Sequence, residues 1–109
     1  MGYDEAVASR VRKALGKIDG VSEKKMFGGL AFMVYGNMCC GVLQDKLMVR
    51  VGPEAYRPLL SKPFAHEMDF TGKPLTGFLY VEAKGFSTTK DLNFWVKKSL
   101  DYVLGLPAK

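Results

Sequence analysis

Apolar residues near the start of the chain recur at three- and four-residue spacing. Val7, Val11, Ala14, Leu15 and Ile18 form one stripe, and this predicts a helix over about Tyr3 to Lys17. Asp4 and Glu5 fall in its first turn, and Lys13 and Lys17 near its end, both complementing the helix dipole. Gly20 is a stop signal. The period then changes to two within "KKMFGGLAFMVYGNMCCGVLQDKLMVRVG", Lys24 to Gly52. Leu30, Phe32 and Val34 alternate with Ala31, Met33 and Tyr35; Met38, Cys40 and Val42 with Cys39, Gly41 and Leu43; Leu47, Val49 and Val51 with Lys46, Met48 and Arg50. "YGN" and "QDK" separate the three runs as turns, so the segment reads as a three-stranded antiparallel meander.

"GPEAYRPLL" opens with Pro53 and Glu54, suited to a helix start. Pro58 removes a donor and clashes with the carbonyl four residues back, so about one helical turn is expected before an irregular Leu59-Leu60 segment. Two further extended pieces follow, near Glu67 to Phe70 and from Gly77 to Ala83, linked by the turn-rich "TGKPLTG". In the last helix Thr88 and Asp91 resemble a capping box. Leu92, Val96, Leu100 and Val103, joined by Trp95, make its core stripe, and Gly105 and Pro107 mark its end.

The predicted order is α-β-β-β-α-β-β-α. Runs of strands with segregated helices argue for an α+β fold, an antiparallel sheet with helices on one face. The other face would carry Met33, Tyr35, Phe78 and Tyr80, too apolar for comfortable exposure, and is therefore expected to meet a second copy or a protein partner.

The chain has 109 residues, enough for one domain, 1–109. Size scaling gives a folded surface of roughly 6,000 Å² and burial of about two-thirds of the unfolded surface, so a core needs neither disulfides nor metals. Sixteen basic and eleven acidic residues leave a formal charge of +5, spread along the chain without a long run. That excess permits nucleic-acid contact without requiring it. The N-terminus has no secretory signal, and the uncharged "MFGGLAFMVYGNMCCGVLQ" fits paired strands better than a membrane helix. The expectation is a soluble, cytoplasmic protein.

The segments "KKMFGGLAFMVYGNMCCGV", "DKLMVRVGPE", "MDFTGKPLTGFLYV" and "LNFWVKKSLDYV" together resemble the TfoX/Sxy N-terminal domain family over nearly the whole chain. The most specific pieces are Met26-Phe27-Gly28-Gly29 and Met68-Asp69-Phe70 followed by Gly77 and Tyr80. The resemblance implies a two-layer arrangement like that of secretion chaperones, often dimeric. It also implies regulation rather than catalysis, since full-length relatives act in natural competence as coactivators beside a cyclic-AMP-dependent transcription activator. Those relatives carry a second, helical domain. This sequence stops at Lys109, so the resemblance is to their N-terminal domain standing alone. Pro58 departs from the helix expected there. The family supplies no catalytic residues to carry over.

No stretch carries a recognised catalytic pattern. Gly28-Gly29 precedes a strand and not a helix, so it is an entry turn or bulge rather than a phosphate loop. Cys39-Cys40 has neither CxxC nor zinc spacing. Alternation would place one thiol in the core and the other on the opposite face. His66, the only histidine, reads as a solvated or edge residue. Trp95 and Tyr102 read as core. No cofactor or metal is expected, and no enzymatic activity. The expected interaction surface is Lys24, Lys25, Met26, Phe27, Gly28, Gly29, Met33, Tyr35, Arg50, Phe78 and Tyr80, with Lys24, Lys25 and Arg50 converging. Its partner is expected to be a protein, in the transcription machinery by the resemblance. Weak nucleic-acid binding through the basic residues is the alternative.

Overall fold

The computed structural model describes residues 3–16, 18–26, 28–69 and 74–108, with no account of the side chains of 69 and 74–76. The chain runs α1 (Glu5–Leu15), β1 (Val21–Met26), β2 (Gly29–Val34), β3 (Asn37–Leu43), β4 (Lys46–Arg50), α2 (Gly52–Leu60), β5 (Ala65–Asp69), β6 (Pro74–Val81), a 3-10 turn (Ala83–Phe86) and α3 (Thr89–Val103). The strands make one six-stranded antiparallel sheet in the order β1-β2-β3-β4-β6-β5. The α+β class with helices over one face is as the patterning predicts. The element order gains one strand, β1, which precedes the meander.

The apolar stripes explain the layering. Val7, Ala8, Val11 and Leu15 of α1, Tyr56 and Leu59 of α2, and Leu92, Trp95, Val96 and Val103 of α3 are buried in one cluster. The same cluster holds Leu30 and Phe32 of β2, Cys40 and Val42 of β3, Leu47 and Val49 of β4, and Leu79 and Val81 of β6. Ladder partners such as Phe32 and Cys40, Cys40 and Val49, and Val49 and Leu79 fix these residues on one face. Helix α3 lies over β3 and β4, α1 packs against α3 and β3, and α2 against β6 and β5.

The helix ends are capped as their residues dictate. Asp4 is the N-cap of α1, its Oδ1 accepting from the Ala6 amide at 2.8 Å. Thr88 caps α3, its Oγ1 accepting from the Asp91 amide at 3.1 Å. Helix α2 runs through Pro58 instead of stopping after a turn. Pro58 and Glu54 both lie on its exposed side, so the carbonyl that Pro58 leaves unpaired faces water.

The turn between β2 and β3 has positive φ at both central residues, Tyr35 (50°) and Gly36 (83°), the hairpin geometry that matches strand twist. Both chain ends fasten to β3. Tyr3 bridges Gln44, just beyond one end of the strand, and the Asp4 amide donates to the Gln44 carbonyl at 2.7 Å. At the other end Asn37, buried in the sheet, donates from Nδ2 to the Pro107 carbonyl at 2.9 Å.

Candidate interaction face

The sheet face turned away from the helices is built by register. One row across it is Lys24, Ala31, Gly41, Met48, Tyr80 and His66. A neighbouring row holds Ser22, Met33 and Met38, with Arg50 and Phe78 beyond. On the other side stand Met26 and Gly29, then Leu43 and Lys46. Ala31 and Gly41 leave a shallow floor at the centre. Met48 fills it: its Cε lies 2.7 Å from where a Gly41 Cβ would stand, and the side chain is 0% exposed. Around this plug Met26, Met33, Met38, Leu43, Phe78 and Tyr80 are half-buried. The face is therefore apolar and rich in methionine, a side chain whose flexible thioether adapts to irregular partners.

Its basic residues stand apart from each other. Lys24 on β1 and Arg50 on β4 are three strands apart, roughly 14 Å at the usual strand spacing. Lys25 pairs with Leu30 and so belongs to the helix side. The expected convergence of Lys24, Lys25 and Arg50 does not occur. Arg50 instead lies over the rings of Phe78 and Tyr102, 5.5 Å from each, and donates to the Met38 carbonyl at 3.4 Å. It staples the face to the end of α3.

Other expected surface residues scatter. Tyr35 is 45% exposed but sits in the β2–β3 turn, where its ring covers Gly20, so it is not on the open face. Gly28 turns the β1–β2 hairpin at φ 76°. Gly29 serves close approach, since a Cβ there would lie 2.4 Å from the Val42 carbonyl oxygen. Phe27 lies outside the described residues. Met26, Met33, Phe78 and Tyr80 do share the face. Leu43 and Met48 join them, as the alternation of β3 and β4 places them, and so does Met38, which alternation assigns to the core side with Cys40 and Val42 and which the register shift at Cys39 turns outward.

Cys39 and Cys40 correct another expectation. Both are buried in the helix-side core. Phe32 pairs with Cys40 but Met33 pairs with Met38, so Cys39 is the extra residue of a bulge and strict alternation breaks there. The two thiols are neighbours. The Cys40 thiol is held well above its ordinary pKa, first by its hydrogen bond with Cys39 and then by burial. A protonated, buried thiol is a poor nucleophile.

His66 is exposed on β5 and paired with Glu82. Among the described residues no group of three or more His, Cys, Asp or Glu is placed to hold a metal, and no helix is long and apolar enough to cross a membrane. The arginines of α1 are engaged internally. Arg10 donates to the Phe86 carbonyl at 2.6 Å, and Arg12 pairs with Glu5 at 2.8 Å and Glu23 at 2.6 Å.

No curated protein and no solved structure matches the chain. The family model described as the TfoX N-terminal domain matches residues 13–103, a span that runs from the last three residues of α1 to the end of α3 and takes in every strand and α2. The chain belongs to the TfoX N-terminal domain family.

Proposed function

We propose that the chain is a regulatory interaction domain that acts by protein contact through its open sheet face, and that it pairs there with a second copy of itself. The observation that carries this is the half-buried cluster of Met33, Met38, Phe78 and Tyr80 around the buried Met48 on the sheet face away from the helices. Apolar patches of this kind on a soluble protein mark contact surfaces. Few charges stand among them, as in the centre of protein interfaces. Family membership supports a role in transcription regulation of the competence type, with the transcription machinery as the wider partner. The domain binds and does not catalyse, in keeping with buried thiols and a lone surface histidine.

The test is sedimentation velocity at micromolar concentration. The native chain should run as two protomers, and Met33→Glu with Met38→Glu should run as one while keeping its circular dichroism spectrum. A native mass of one protomer up to about 100 μM, a concentration that binds even weak dimers, would remove the self-pairing. Affinity capture from the native host, with and without nuclease, then asks whether the same double variant loses a protein partner. Nothing in the geometry favours the nucleic-acid alternative on this face, because Lys24 and Arg50 are separated and Arg50 is stacked between rings.

A further inference from the structure

A cleft of about 310 Å³ lies where the loop after α2, the 3-10 turn and the first turns of α3 meet. Phe64, Phe94 and Trp95 supply its rings, and Lys62, Lys84 and Lys90 its charges, against the single acid Asp91. Among the described residues none of the three lysines forms an ion pair. Three ammonium groups around one cleft without a facing carboxylate cluster make it anion-attracting. They are compact point charges and not planar forks, which suits the several oxygens of a phosphate better than a bidentate carboxylate.

The rings are held for contact. Phe64 is 41% exposed and has φ 69°, a conformation that bulky residues rarely adopt. The Glu82 amide pins it by donating to the Phe64 carbonyl at 2.9 Å. Gly85 makes the space: a Cβ there would stand 3.0 Å from Phe64 Cβ and 2.6 Å from Val81 Cγ1. Trp95 is fixed in the floor by its indole N–H, which donates to the Gly85 carbonyl at 3.2 Å. Lys62 lies over the Phe94 ring at 4.9 Å. The volume is at the lower end of the roughly 300–1,000 Å³ of ligand pockets, room for one ring system and one anionic group.

We propose that this cleft binds a nucleotide-type ligand, a planar ring carrying a phosphate. The ring stacks on Phe64 and the phosphate sits among Lys62, Lys84 and Lys90. The site is independent of the open sheet face, so its failure would leave the interaction reading untouched.

Trp95 is the chain's only tryptophan and therefore reports directly. Titration with adenosine 5′-monophosphate should change its emission saturably, with half-saturation between roughly 10 μM and 1 mM, ordinary for a small ligand with few contacts. Adenosine and inorganic phosphate, each offering half the chemistry, should each bind at least about tenfold more weakly. Lys84→Gln with Lys90→Gln should weaken binding about tenfold or more, since each removed charge is exposed and leaves the fold intact. Phe64→Asn should do the same, because Asn tolerates the backbone conformation while removing the ring. A 5′-phosphorylated pentanucleotide separates the sources. Tighter binding than the monophosphate assigns the site to the end of an unpaired strand, and equal or weaker binding assigns it to the free nucleotide. Absence of a saturable change up to 10 mM overturns the proposal. So does inorganic phosphate that binds as tightly as the nucleotide, or native affinity retained in both the lysine and Phe64 variants.

Discussion

Cys40 shows how one residue can be read correctly in type and wrongly in place. Alternation makes it a core residue, and it is. The same alternation sends Cys39 to the opposite face, but the bulge turns it inward beside its neighbour. Nothing local in "MCC" signals an extra residue, because a bulge is set by the partner strand. The consequence is chemical. Both thiols are fully buried, so the native protein should resist alkylation by iodoacetamide at pH 7.5, and two equivalents should react once it is unfolded in urea. The raised Cys40 pKa gives a pH sign. Above about 8.5, the ordinary thiol value, the unfolded chain releases a proton that the native chain keeps, so stability falls as pH rises. Cys40→Ala should flatten the urea midpoint between about pH 8.5 and 10. Gly29 is a residue whose role was legible as backbone and not chemistry. Gly29→Ala pushes a Cβ against the Val42 carbonyl oxygen and should cost about 1–3 kcal/mol, read as a lowered urea midpoint with unchanged slope.

Elements with a buried face announce themselves by period, and those without one do not. Helices α1 and α3, strands β2 and β4, and β3 from Cys40 onward follow their stripes. Strand β1 is "VSEKKM", exposed from Ser22 to Lys25, and is held by its ladder to β2 and by Arg12 of α1 reaching Glu23. Such a strand has no hydrophobic alternation to read, and its charges suit an edge that must not pair with other chains. The Arg12 guanidinium holds the Glu23 carboxyl below the ordinary carboxylate range. The pair's contribution is therefore present above about pH 4.3 and is lost as pH falls through the lowered value. Both side chains are more than a third exposed, so solvent screening limits Arg12→Gln to less than about 1 kcal/mol at pH 7 and to nothing near pH 2. In α2 the proline rule overstates the disruption. The helix interior cost of about 3 kcal/mol applies to a long buried helix, whereas Pro58 is the third residue from the end of a nine-residue helix and lies with Glu54 on its exposed side. Pro58→Ala restores one exposed hydrogen bond and loses the stiffness of the unfolded chain, so urea denaturation should register a change of less than about 1 kcal/mol.

For the whole molecule, the division into a helix-covered face and an open one was legible, and the place of the charges was not. Charge is counted along the chain but used across the fold. Arg10, Arg12 and Arg50 are occupied by carbonyls, carboxylates and rings, which takes all three out of any patch organised for a duplex. A titration of duplex DNA at 50 and 200 mM salt should accordingly show weak binding. Its log–log salt slope should stay well short of the roughly −5 or steeper of proteins that engage six or more phosphates.

The two anchors of the chain ends set a fixed span. One terminus leaves the fold beside Gln44 and the other beside Asn37, so the seven residue steps between them put the exits roughly 23 Å apart. A circular permutant must bridge that distance with about seven extended residues, of which Met1, Gly2, Ala108 and Lys109 supply four and the linker about three. Shorter splices would pull either the Tyr3 bridge or the Asn37 amide off the strand. Fluorophores at the two tails would in turn act as a ruler for whether both stay attached.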